Sequence, residues 1–257
     1  MGKSDGTEMG GPDQSFQRTH WTQILSFQAG DEARRRTVVN ELLREYWKPI
    51  YCYLRRKGYD NETAKDLVQG FFLDIVLGRD LIQQADPAKG RFRTFLLTAL
   101  DRYVISVNRA EEALKRRPDV GILHLDGIGW DNTLPLPASV VTPEDTFNYA
   151  WATALLEGVV SELERECAAS GRGKHWEIFC ARVLNPILAN EEPVPVSNLC
   201  SQHGIESERK VWDIVGATKR HFQSILRRHV RSLVESEREV DQEICDLMEI
   251  LTRKGTG

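Results

Sequence analysis

The sequence predicts an all-α protein, with two helical domains joined by a flexible linker. Apolar residues recur at three- and four-residue spacing through most of the chain, which is the period of a helix that buries one face. Alternating apolar runs, which indicate strands, are scarce. Residues 118–141 are rich in proline, glycine and aspartate and interrupt the helical pattern, so we expect the linker there.

The composition is that of a globular protein. Hydrophobic residues make up 41% of the 257-residue chain and charged residues 28%, which excludes wholesale disorder. No apolar run approaches the ~18 residues of a bilayer span. Residues 1–15 are polar and Gly-rich, so we expect a disordered tail and no secretory signal. Five scattered cysteines without a C-x-x-C pair argue against zinc or disulfides, so we expect a cytoplasmic protein with no metal and no cofactor.

Residues 16–117 form the first predicted domain. One-sided apolar stripes mark its helices, and Asp60 is a suitable N-cap for the second of them. The segment from Asp86 to Gly90 predicts a turn before the third. The stripe residues are Val38, Leu42, Tyr46 and Ile50, then Leu67, Phe71 and Phe72, then Phe92, Phe95, Leu96 and Tyr103.

Residues 142–235 form the second predicted domain. Thr142-Pro-Glu-Asp145 is a strong helix start, with Thr as N-cap, Pro at the first helical position and acids in the first turn. We expect this helix to run to about residue 168, with breaks at 170–173 and 191–195. Residues 236–257 are predicted to form an acidic helical extension.

Residues 196–231 predict a helix-turn-helix. Gly204 suits the positive φ of the turn, and the helix after Ser207 carries an apolar stripe on one side. Its other side has the cations and donors that a DNA recognition helix needs. The alternative is an ordinary amphipathic hairpin with a solvated basic face. The residues of this basic face are Arg209, Lys210, Trp212, Lys219, Arg220, Arg227 and Arg228.

Two further patterns indicate binding surfaces. Asp66 and Gln69 lie three residues apart on one helix face and could dock a partner, although such pairs also occur on solvated helices. From Gly90 to Ile105 cations alternate with aromatic residues, and basic residues continue to Arg117. This combination suits unstacked single-stranded bases. The alternative is that the aromatic side chains belong to the core.

Signatures of catalysis are missing from the sequence. It has no Gly-rich phosphate loop, no nucleophile elbow and no His-x-x-x-His pair, and its six histidines are dispersed. We therefore expect a binding protein and not an enzyme.

Together these motifs resemble extracytoplasmic-function sigma factors, a branch of the sigma-70 family. The similarity is closest to the subgroup abundant in planctomycetes and acidobacteria. It is carried by Tyr46-Trp47-Lys48-Pro49-Ile50-Tyr51, by Asp66 to Phe72, by Asp86-Pro87 with Gly90 to Leu100, and by the helix-turn-helix. The resemblance covers residues 16–117 closely and 143–231 more weakly. It implies a region-two domain, a region-four domain and a non-catalytic subunit that brings core RNA polymerase to promoters.

The resemblance also implies roles for individual residues. Asp66, Gln69 and Leu73 fall where the family grips the β′ clamp helices of the polymerase, and the β flap is a second expected contact. The minus-ten residues, which capture melted DNA, would be Arg102, Tyr103, Asn108, Arg109, Lys115 and Arg116. The minus-thirty-five residues, which read duplex DNA, would be Arg209, Lys210, Trp212, Lys219 and Arg220.

Departures from the family pattern leave a second hypothesis open. Gly70 replaces a frequent acid, and Asp101 and Ser106 are unexpected types. The turn from Gly204 to Glu208 is one residue longer than usual in the family, and Asp213 would repel phosphate. The chain could instead be a sigma-derived adaptor, which binds polymerase and is directed to DNA by another protein.

Two regulatory hypotheses complete the sequence-based predictions. The acidic extension has an apolar stripe, formed by Val240, Ile244, Leu247 and Leu251, and could fold back and compete with DNA; the alternative is that it packs on its own domain. Thr63 stands where the family usually carries an acid, so its phosphorylation by a Ser/Thr kinase could restore negative charge. The alternative is an unmodified first-turn threonine. An anti-sigma factor is a further possible partner.

Overall fold

A computed structural model describes residues 32–77, 91–114, 140–188, 191–234 and 236–252. Every regular element among them is a helix, which confirms the all-α fold class. The predicted tail, the turn at Asp86 to Gly90 and nearly all of the predicted linker lie outside the described residues. No helix in the described ranges combines the length and apolarity needed to cross a membrane.

The helices follow one another along the chain with short connections in each half. In chain order they are α1 (Glu32–Arg56), α2 (Asn61–Leu77), α3 (Phe92–Leu114), α4 (Pro143–Ala169), α5 (Gly173–Phe179), a π-helical turn (Cys180–Leu184), α6 (Asn185–Leu188), α7 (Val196–His203), α8 (Glu208–Arg231) and α9 (Glu237–Thr252).

The predicted helix starts are confirmed at α2 and α4. The backbone N–H of Thr63 donates to the Asp60 carboxylate at 2.9 Å, which makes Asp60 the cap of α2. The backbone N–H of Asp145 donates to the Thr142 hydroxyl at 3.0 Å, and Pro143 occupies the first position of α4. Each cap satisfies a backbone donor that the first turn of a helix would otherwise leave unpaired.

The core runs continuously through helices from both predicted domains. The Tyr46 ring of α1 contacts the Phe92 ring of α3 with centroids 5.6 Å apart, and stacks on the Phe147 ring of α4 at 6.5 Å. All three side chains are buried. The Arg56 guanidinium at the end of α1 donates to the Val141 carbonyl just before α4, at 2.9 and 3.1 Å. The two predicted domains are therefore packed against each other along α1 and α4, while the linker that would separate them stays a prediction.

The acidic helix α9 packs on α4 and α8 and also reaches α3. Val240 and Leu247 are fully buried in the common core. At the carboxyl-terminal end of α8, Asp241 binds Arg227 at 2.6 Å and Glu237 binds Arg231. Its position thus agrees with packing on its own domain, and none of these contacts involves the predicted recognition residues 209–220.

A polar layer joins α4 to α8. The Glu162 carboxylate lies 2.6 Å from the His229 ring, and the Glu166 carboxylate lies 2.6 Å from the His221 ring. The Arg228 guanidinium contacts both carboxylates at 2.9 Å. The hydrogen bond to His229 is the main cause that lowers the pKa of Glu162, and the bond to His221 does the same for Glu166.

Acid should weaken this α4–α8 contact. Because both folded-state pKa values lie below the ordinary 4.5, the two carboxylates stabilise the fold at higher pH and lose that contribution as the pH falls through their folded pKa values. We expect the free energy of unfolding, measured by urea titration, to decline below pH ~4.5. The decline should be shallower in Glu162→Gln with Glu166→Gln than in the control Glu191→Gln with Glu192→Gln. Equal declines would contradict this assignment.

Candidate functional site

The predicted polymerase-binding residues share one face of α2. Asp66 is exposed, and Gln69 and Leu73 are half-buried beside it, one and two turns further along the helix. The opposite face is anchored in the core by Val68 and Phe71, which are fully buried. The structure therefore brings the three predicted residues together on a supported helix surface.

Thr63 lies at the start of this helix and is half-buried. Its hydroxyl donates to the Asp60 carboxylate at 2.9 Å, and the hydrogen bonds from Thr63 lower the pKa of Asp60. Lys65, two residues further along the helix, pairs with Glu62 at 3.1 Å. A phosphate on Thr63 would replace the bond to Asp60 with repulsion between two anions. Phosphorylation of Thr63 stays a prediction.

The exposed face of α3 is a stripe of cations around one apolar side chain. Arg102 and Arg109 are exposed, and Ile105 between them is 50% exposed, so the three side chains follow one another at helical spacing. Thr98 continues the stripe towards the start of the helix. Sequence analysis did not identify Ile105 as a site residue. Its spacing of three residues from Arg102 and four from Arg109 would have placed it on the same helix face. Lys115 and Arg116 lie outside the described residues.

Two of the predicted minus-ten residues lie off this stripe and have packing roles. Tyr103 is half-buried against α2, with its ring centroid 5.6 Å from that of Phe71. The Asn108 amide donates to the Tyr59 hydroxyl at 3.0 Å. The structure therefore separates Tyr103 and Asn108 from Arg102 and Arg109.

Asp101, one of the unexpected residue types, is an anchor between α3 and α1. Its carboxylate accepts a hydrogen bond from the Tyr53 hydroxyl at 2.9 Å and an ion pair from Lys57 at 2.7 Å. Burial, with a smaller contribution from Asp101, raises the pKa of Tyr53 to about 12. A basic residue at position 101 would repel Lys57, which accounts for the acid at this position.

The helix-turn-helix forms as predicted. Gly204 ends α7 with φ 64°, in the left-handed region that favours glycine. Ser207 caps α8, accepting the N–H of Lys210. Behind the turn a small core holds the two helices together, and its buried members are Ile178, Leu199, Val211 and Val215.

The predicted recognition face is exposed at the amino-terminal half of α8. Arg209, Lys219 and Arg220 all reach solvent, and Lys210 pairs with Glu206 on the turn. The indole of Trp212 is 49% exposed and lies 5.1 Å from the Arg182 guanidinium. Arg182 belongs to the π-helical turn and was missed in the sequence, because nothing in the chain order links it to Trp212. It adds a cation beside the recognition face.

Comparison of the chain with protein-family models, curated proteins and solved structures gives no match. The resemblance to sigma factors therefore rests on the sequence motifs alone. Among the described residues, no group of three or more histidine, cysteine, aspartate and glutamate side chains is placed to hold a metal ion.

Gly70 is required by the position of Tyr103. A Cβ atom at residue 70 would overlap the Tyr103 hydroxyl and lie 3.3 Å from the ring carbon that carries it. Tyr103 cannot easily retreat, because Phe71 contacts its ring from the same helix as Gly70. The glycine thus allows α2 and α3 to approach at this point.

We expect Gly70→Ala to lower the free energy of unfolding by about 1–3 kcal/mol through this overlap. In the Tyr103→Phe background the same substitution should be close to neutral or favourable, since alanine is favoured over glycine in helix interiors by about 1 kcal/mol. Urea unfolding of the four proteins measures the coupling between the two positions. Equal effects of Gly70→Ala in both backgrounds would show that the hydroxyl is not the obstacle.

Proposed function

We propose that this protein is a sigma factor of the extracytoplasmic-function type, which binds core RNA polymerase in the cytoplasm and directs it to promoters. The observation that carries the proposal is the helix-turn-helix with its exposed basic face. Gly204, whose backbone is in the left-handed region, forms the turn between the two helices. Arg209 and Arg220 project from the second helix, away from its buried stripe. This is the arrangement that places a helix in the major groove, with cations for phosphates and base edges.

The stripe on α3 supports a second contact, with melted single-stranded DNA. Arg102 and Arg109 can each neutralise a phosphate, and the exposed Ile105 offers an apolar surface for an unstacked base. The face of α2 formed by Asp66, Gln69 and Leu73 would bind the β′ clamp helices of the polymerase. The helix-turn-helix domain would bind the β flap. In this assignment no residue performs chemistry, since the polymerase is the enzyme.

An adaptor function remains the second candidate. Asp213 is exposed on α8 among the cations, and phosphate would be repelled there. An adaptor would keep the α2 face for polymerase and depend on another protein for the promoter. The two functions differ in whether a third component is needed for accurate initiation.

The packed arrangement cannot contact both promoter elements at once. From α3 through α1 and α4 to α8 there are three helix spacings of about 8–10 Å, and the helices are about 40 Å long, so the two DNA faces lie within about 60 Å. Elements centred near positions −10 and −35 are about 25 base pairs apart, or about 85 Å of B-DNA. Residues 115–142 between α3 and α4 can span about 95 Å when extended. We therefore infer that promoter binding would require the α1–α4 contact to separate.

Run-off transcription with purified core polymerase, this protein and fragments of genomic DNA tests the proposal. We expect transcripts from defined start sites without a third component. Asp66→Ala with Gln69→Ala should abolish them by weakening binding to core polymerase, while Glu164→Ala, which removes an equally exposed carboxylate from α4, should leave them unchanged. Defined starts only after addition of another protein would favour the adaptor.

Loss of one phosphate contact should be visible at Arg220. Arg220→Ala is expected to weaken duplex promoter binding and to reduce the slope of log K against log salt by about one. Arg238→Ala, an exposed arginine of α9, is the matched control and should keep the full slope. Fluorescence anisotropy across a salt series measures both. An unchanged slope for Arg220→Ala would remove this residue from the DNA interface.

A further inference from the structure

The contact between α9 and α3 crosses the boundary between the two predicted domains. Glu243 of α9 binds Arg93, and its second carboxylate oxygen lies 3.1 Å from the Arg91 guanidinium. Asp246, one turn further along α9, also binds Arg91 and lies 3.8 Å from Arg93. Two arginines from the first domain are therefore held by two acids from the end of the chain.

Arg93 is the buried member of this cluster. Its side chain is 9% exposed and that of Glu243 is 4% exposed. The Arg93 guanidinium also lies over the Trp151 ring of α4, 4.4 Å from the ring centroid. Burial, reinforced by Arg91, lowers the pKa of Arg93 to about 10. The guanidinium is still charged at neutral pH, so it needs an anion in this position.

The apolar stripe of α9 lies beside Glu243 and Asp246 and packs on helices of the second domain. Val240 and Leu247 are fully buried, and the helix packs on α4 and α8. Its apolar stripe thus packs on α4 and α8 within the common core, while Glu243 and Asp246 bind arginines of the first predicted domain. Helix α9 therefore contacts both predicted domains and can hold them together.

Arg91 also stands at the head of the exposed α3 stripe. Counting along the helix, positions 91, 98, 102, 105 and 109 fall on one side. Arg91 immediately precedes α3, so it would extend the surface that we assign to single-stranded DNA, and it is paired with carboxylates of α9. Phosphates and α9 would compete for it.

We propose that α9 is an intramolecular clasp, which holds the α3 side of the protein against the α4–α8 side and keeps the two DNA faces in the packed, inactive arrangement. The role of the clasp in transcription rests on the proposed function. Its mechanical role rests only on the contacts of Arg91 and Arg93. Release requires Glu243 and Asp246 to leave the arginines. The contact of Arg93 with Trp151 and the α1–α4 contact would still join the two sides, and both would have to separate for the protein to open.

Hydrogen–deuterium exchange on the full-length protein tests the clasp. The variant is Glu243→Gln with Asp246→Asn; the control is Glu191→Gln with Glu192→Gln, which removes two exposed carboxylates elsewhere. In the variant we expect amides of α1 and α4 at their mutual contact to exchange about tenfold faster, because more molecules open there. X-ray scattering should show a larger radius of gyration. The control should match the wild type in both measurements.

Faster exchange confined to α9, or no change at all, would overturn the clasp. If the double variant loses helical circular dichroism, the single variant Asp246→Asn replaces it in the exchange experiment. The Asp246 side chain is partly exposed, so its substitution disturbs the fold less. Unchanged exchange at the α1–α4 contact in this variant would refute the proposal. Binding of each protein to purified core polymerase separates the two hypotheses. A variant that opens while no form binds polymerase supports the clasp and refutes the proposed function.

Discussion

The buried charge of Arg93 is the constraint on which the arrangement of the helices depends. A guanidinium taken out of water must find an anion, and breaking such a buried pair from one side costs about 3–5 kcal/mol. Here the anion comes from Glu243, about 150 residues away in the chain, and the flat face of the guanidinium rests on Trp151. Helices α3, α4 and α9 are therefore specified together.

The cations of α8 fall into two groups, one facing solvent and one paired with acids of neighbouring helices. Over the first thirteen residues of the helix Arg209, Lys219 and Arg220 are exposed. In the carboxyl-terminal half Arg227 and Arg228 are held by acids of α9 and α4, where the helix dipole also favours positive charge. The basic run that looks uniform in the sequence thus has a surface half and a structural half.

Local signals in the sequence were sufficient for the helices and their ends, and insufficient for the contacts between them. Thr142 and Gly204 act through neighbours three or four residues away, so their roles could be predicted. Arg93, in contrast, belongs to a run of cations and aromatics that predicts a nucleic-acid surface, and its burial depends on a partner from the far end of the chain. Tyr103 illustrates the same limit, because its contact with Phe71 depends on how α2 and α3 pack.

The close approach at Gly70 also restricts how this protein can change over generations. Since the Tyr103 hydroxyl occupies the space of a side chain at residue 70, an acid could be acquired there only after Tyr103 had been replaced by something smaller. The reverse order passes through a poorly packed intermediate that selection would remove. A descendant with an acid at this position would therefore carry the record of an earlier substitution in α3.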